Sequence, residues 1–123
     1  MTRIAIVDDS RLVRAFVAGA VRAQGNEAVE VEPTSLFEVL AALREAPMDL
    51  LVADFLMPDC PGESLVRAIR EDPTLRELPI LMLSAHRDDD TLIRLQRLGI
   101  SGFLLKPVEA PALVAKLAEA LAD

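Results

Sequence analysis

The chain has 123 residues, of which 52% are hydrophobic, with a net charge of −7, four phenylalanines and neither tryptophan nor tyrosine. That length suits one domain over residues 1–123, with a core that needs neither disulfides nor a structural metal. The acidic balance argues against a phosphate-backbone binder and the few aromatics against stacking platforms for bases or sugars, while no apolar run reaches the roughly 18 residues of a membrane span.

The N-terminus, MTRIAIVDDS, meets acids too early for a secretory signal, and the single cysteine, Cys60, has no partner for an intramolecular disulfide. Both fit a cytoplasmic protein.

RIAIV (Arg3 to Val7) is a short β-branched run, the pattern of a strand covered on both faces. It stops at Asp8 and Asp9. SRLVRAFVAGAVRAQG then spaces Val13, Phe16, Val17, Ala20 and Val21 as one apolar stripe, with Arg11, Arg14 and Arg22 off it. This predicts a helix, closed by Gly25 in a left-handed cap. NEAVEVE (Asn26 to Glu32) predicts a more polar second strand near an edge of the sheet. SLFEVLAALREA (Ser35 to Ala46) predicts a second helix with Leu36, Leu40 and Leu43 inward.

The alternation continues. DLLVA (Asp49 to Ala53) predicts strand three, ESLVRAIRED (Glu63 to Asp72) helix three, PILMLS strand four and DDTLIRLQRLG helix four with Gly99 as its stop. GFLLK predicts strand five and EAPALVAKLAEALA helix five. Alternating strands and helices make an α/β domain with a mostly parallel sheet and right-handed crossovers.

In such sheets ligands bind beyond the carboxyl ends of the strands. Those ends carry Asp8 and Asp9, Asp54, Ser84 and Lys106. If strands one and three are neighbours, the carboxylates converge, and like charges at that distance call for protons or a cation. Mg²⁺ suits an oxygen-only site that leaves positions for phosphate oxygens. Ser84 and Lys106 then read as phosphate contacts, and Asp54 as the acceptor in a phosphoryl transfer.

The set Asp8-Asp9, Asp54, Met57-Pro58 with Gly62, Ser84-Ala85 and Lys106-Pro107 resembles the receiver domain of bacterial two-component response regulators, in particular a chemotaxis-regulator-like single domain. The resemblance spans essentially the whole chain. It implies a doubly wound, flavodoxin-like (βα)5 fold with a five-stranded parallel sheet in the order 2-1-3-4-5. It implies a signalling receiver rather than an enzyme, one that assists its own phosphotransfer and autodephosphorylation. Asp54 would take a phosphoryl group from a sensor histidine kinase or histidine phosphotransfer protein. Asp9, Asp54 and the backbone carbonyl of Leu56 would hold Mg²⁺, with Asp8 acting directly or through water. Ser84 and Lys106 would bond the phosphoryl oxygens, Ser84 and Phe103 would act as switch residues, and Lys106-Pro107 would be cis. Leu56 and His86 would tune the lifetime of the phosphorylated state, which an apolar Leu56 is expected to lengthen. Output would pass through helix four, strand five and helix five, where Arg94, Arg97 and Lys116 supply charge, to a downstream protein. No contact with nucleic acid or membrane is expected. Since the chain ends soon after helix five, it is expected to be either a regulator acting through a partner or a fragment.

Simpler readings exist for each residue alone. Asp8, Asp9 and Ser10 could cap a helix, Asp54 could serve a turn, and Lys106 could be a solvated lysine. Asp88 to Asp90 read as a solvated helix start, Cys60 lacks a cationic neighbour, and Phe103 would be ordinary core in most such domains. A phosphatase using an aspartyl phosphate needs an acid where Leu56 stands, and the glycines match neither a P-loop nor a dinucleotide fingerprint. The alternative that stays open is a phosphorylation-independent, receiver-like interaction module.

Overall fold

The computed structural model describes residues 2–122. Its elements are β1 (Arg3–Val7), α1 (Arg11–Ala23), β2 (Glu27–Val31), α2 (Leu36–Arg44), β3 (Leu50–Asp54), α3 (Gly62–Glu71), β4 (Ile80–Ser84), α4 (Asp89–Arg97), β5 (Gly102–Leu105) and α5 (Ala110–Leu121). The strands form one parallel sheet in the order β2-β1-β3-β4-β5. This is the predicted doubly wound arrangement, with the polar β2 at an edge.

Successive side chains of a strand point to opposite faces, and both faces here are covered. Ile4, Ile6, Leu50, Val52, Leu81 and Leu83 pack with Val17, Ala18 and Val21 of α1 and Leu113 and Leu117 of α5. Ala5, Val7, Leu51, Ala53, Ile80 and Met82 pack on the other face with residues of α2, α3 and α4. Each fully buried aliphatic side chain contributes about 1.5–3 kcal/mol of transfer free energy, so the two-sided core fixes strand register firmly.

Polar residues set the helix limits. Ser10 and Ser35 cap α1 and α2 by accepting from Val13 N and Glu38 N, and Asp88 caps α4 by accepting from Asp90 N and the Thr91 hydroxyl. Asp88 to Asp90 therefore form a helix start, as predicted. Gly25 and Gly99 sit at positive φ, +83° and +79°, where glycine avoids the clash that a Cβ would bring.

One inward assignment needs correction. Phe16 is 43% exposed, because α1 faces the sheet through Val17, Ala18 and Val21 and Phe16 lies at the border of that stripe. In α2 Leu43 is buried and Leu36 and Leu40 pack, partly buried, against the same core, as predicted; Val39 joins them, fully buried. Strand three also runs one residue further than predicted, so Asp54 belongs to the sheet.

Candidate functional site

The parallel strands bring their carboxyl ends to one rim, and the pleat sorts the residues there. Asp8, Asp54 and Lys106 continue the parity of Ile6, Val52 and Leu104, which face the α1/α5 layer. Ser84 and Phe103 share the parity of Met82, which faces the α4 side. Lys106 indeed reaches the two acids of its own parity, with Nζ 3.0 Å from Asp8 Oδ2 and 3.1 Å from Asp54 Oδ1. The Lys106-Pro107 peptide is cis, as the resemblance implies.

Asp8 and Asp54 are buried and Asp9 is exposed; one carboxylate oxygen of each lies within 4.8 Å of the others. Asp8 is held on three sides. Its Oδ1 accepts from Ser10 N at 2.8 Å, its Oδ2 from Lys106, and its carbonyl from Arg14 Nη1 at 2.7 Å. Burial, followed by the negative charge of Asp8, pushes the Asp54 carboxyl up to about 6, although Lys106 opposes the shift. Burial pulls the Lys106 ammonium down, but its bonds to Asp8 and Asp54 more than offset this and hold it above its ordinary value. One ammonium therefore leaves negative charge uncompensated. The donors in the cluster are all oxygen, since His86 and Cys60 are not among them, so the site fits a hard divalent cation such as Mg²⁺.

Ser84 is buried, and its hydroxyl donates to the His86 carbonyl at 2.8 Å and accepts from His86 N at 3.2 Å. Below it lies a cavity of about 220 Å³ lined by Phe55, Leu56, Leu92, Leu95 and Phe103 among others. Phe103 is only partly buried beside that space. Leu56 is 58% exposed, and the His86 side chain is exposed as well. On the other side an apolar groove lined by Leu12, Phe16, Pro107 and Val108 runs up to Lys106. Cys60 is fully buried, and burial pushes its thiol up, away from reactivity.

Gly62 was legible only as part of a motif; the structure supplies the reason for it. A Cβ there would stand 2.7 Å from Phe55 Cα and 2.8 Å from the carbonyl oxygens of Asp54 and Phe55. Sequence reasoning missed two contacts near the site. Arg14, placed off the helix stripe, holds the turn that carries the acids. Arg94, assigned to an output surface, is engaged within the chain by Glu63.

A doubly wound parallel sheet whose carboxyl rim gathers acids around one lysine defines a receiver-type module. The family model for the response regulator receiver domain matches residues 4–118, and the chain belongs to that family. It is 34% identical over 117 residues to the chemotaxis protein CheY of Pseudomonas aeruginosa, covering 94% of this chain and 92% of that one. It is 30% identical to a stretch of the sensor histidine kinase TmoS of Ectopseudomonas mendocina, covering 94% of this chain but 12% of that protein. Among solved structures, Vibrio cholerae CheY4 superposes with a TM-score of 0.89 at 28% identity, over 98% of this chain and 99% of that one. Receiver domains are signalling modules of two-component systems, and this chain is CheY-like in sequence and fold. Among the described residues, no helix is long and apolar enough to cross a membrane.

Proposed function

We propose that residues 1–123 act as one phosphoacceptor domain, in which Asp54 accepts a phosphoryl group from a phosphohistidine on a sensor kinase or phosphotransfer protein. The supporting observation is the bridge from Lys106 to both Asp8 and Asp54 beside the exposed Asp9. An Asp54 oxygen attacks phosphorus, the phosphorus–nitrogen bond breaks, and the imidazole leaves with its electron pair and takes a proton from solvent. Lys106 would pair with a phosphoryl oxygen, a role supported by the contact of its ammonium with Asp54. Asp9, Asp54 and the Leu56 carbonyl would hold Mg²⁺. Asp8, whose carboxylate oxygens already accept from Ser10 and Lys106, would act through water. Bound there, the cation would supply charge neutralisation.

After transfer, Ser84 exchanges its His86 carbonyl for a phosphoryl oxygen, and Phe103 turns into the space next to it. The change is read by a downstream protein on the face of α4, β5 and α5, where Ile93 and Leu105 are exposed. Leu56 and His86 set the lifetime, and the exposed Leu56 offers an attacking water no hydrogen bond. The apolar groove that reaches Lys106 offers a surface beside the acceptor for the donor protein to cover. The reading expects a cytoplasmic setting.

Incubating the chain with acetyl phosphate and Mg²⁺ should add a single phosphoryl mass, lost in Asp54→Asn. Uptake persisting in that variant would remove Asp54 from the role. A wild-type chain that takes up none would favour the phosphorylation-independent interaction module.

A further inference from the structure

An arginine beside a cation site is, by charge alone, unfavourable to the cation. Arg14 is nevertheless placed against the acid turn. Its side chain is 12% exposed, its Nη1 donates to the Asp8 carbonyl at 2.7 Å, and its Nε lies 3.9 Å from Glu30 Oε1 on β2. Asp8 stands one residue beyond Val7, the last paired residue of β1, so the sheet register no longer fixes its peptide. The carbonyl that Arg14 holds belongs to the peptide joining Asp8 to Asp9. Rotation of that peptide moves both carboxylates, and Ser10 and Lys106 restrain only the first of them.

We infer that Arg14 is a positioning residue for the metal-binding carboxylates, fixing the Asp8-Asp9 peptide from α1 so that Asp9 is presented to the cation. The assignment rests on the phosphoacceptor reading above. It adds a residue outside the acid, hydroxyl and lysine set. Glu30 orients the guanidinium from the neighbouring strand, and at 3.9 Å its contribution is the smaller one.

The two accounts of Arg14 predict opposite signs. If it were only a nearby positive charge, its removal would tighten Mg²⁺ binding. If it positions the turn, its removal weakens binding. Calorimetric titration of the full chain with Mg²⁺ should show Arg14→Met binding about five- to ten-fold more weakly, the scale of losing one ordinary hydrogen bond. Arg14→Lys keeps the charge but loses the planar fork, and should bind at least about twofold more weakly than wild type. Glu30→Gln should stay within about twofold of wild type. The rise in melting temperature produced by Mg²⁺ should shrink in the same order, a readout separate from any loss of metal-free stability. Equal or tighter Mg²⁺ binding in Arg14→Met overturns the assignment. Should that variant fail to fold, unchanged binding in Arg14→Lys does so instead. A wild-type chain that binds no Mg²⁺ would refute the phosphoacceptor reading itself, whereas variants that match a binding wild type would refute only the role of Arg14.

Discussion

Glu63 and Arg94 join α3 to α4 through a two-pronged ion pair, with Arg94 Nε 2.9 Å from Glu63 Oε2 and Nη2 3.2 Å from Oε1. Arg94 holds the Glu63 carboxyl below its ordinary value against the opposing effect of burial, with Arg67 adding to the pull. The pair matters because α4 buries only Thr91 and Leu95 and borders the cavity below Ser84. Arg94 is nearly half exposed, so a double-mutant cycle of Glu63→Gln and Arg94→Met should give a small favourable coupling that shrinks in high salt. Amide exchange in α4 should speed up in either variant. Zero coupling at low salt would show that the fork is incidental.

Asp54 sets a pH dependence of unusual sign. Its folded value, about 6, lies above its ordinary 3.8, so the folded chain holds this proton more tightly and stability at this position falls as pH climbs between those values. Asp54→Asn removes the cost and should stabilise the metal-free chain at pH 7 by about 1–3 kcal/mol. The gain should fade toward pH 4. Urea unfolding of both proteins across that range checks it, and a variant less stable than wild type at pH 7 would contradict it.

Asp72 works in the opposite sense. Its bonds from the Thr74 hydroxyl and N–H, followed by Arg44, hold its carboxyl down at about 2. The folded value lies below the ordinary one, so the stabilisation is present above about pH 4 and is lost as pH falls toward 2. Asp72→Asn should be less stable than wild type at pH 7, and urea midpoints should converge near pH 2.

Arg70 ties distant loops together. Its guanidinium donates to the carbonyls of Leu98 at 2.6 Å, Leu78 at 2.8 Å, and Arg76 and Gly99 at 3.0 Å. Arg70→Met strands partly buried acceptors and should cost about 2–4 kcal/mol in urea unfolding. Arg70→Lys should recover only part of that, because an ammonium cannot span the set.

At Gly62 the clash is with backbone, which cannot swing aside. Gly62→Ala should cost about 1–3 kcal/mol and displace the Phe55 to Met57 loop. Slower labelling by acetyl phosphate at unchanged Asp54 would accompany it.

Much of the fold was legible because strand and helix periods differ sharply and each strand broke on a polar residue. The acids, Ser84 and Lys106 could be read from those breaks. Side chains with long reach could not. Helical spacing gives the direction of the Arg14 Cβ, not the end of its guanidinium, which bends back to Asp8. Glu63 and Arg94 lie 31 residues apart, so no local pattern pairs them. Phe16 was assigned inward and Val39 was passed over because neighbouring apolar residues on a helix compete for one narrow inward arc.

The pleat has one more consequence. Asp8, Asp54 and Lys106 belong to the α1/α5 side of the sheet, whereas Ser84 and Phe103 belong to the α4 side. A group attached at Asp54 would sit on the rim between them, where a hydroxyl from the far side can still reach it. The sheet thus acts as a partition: a phosphoryl group gained on one side would be felt on the other only across that edge.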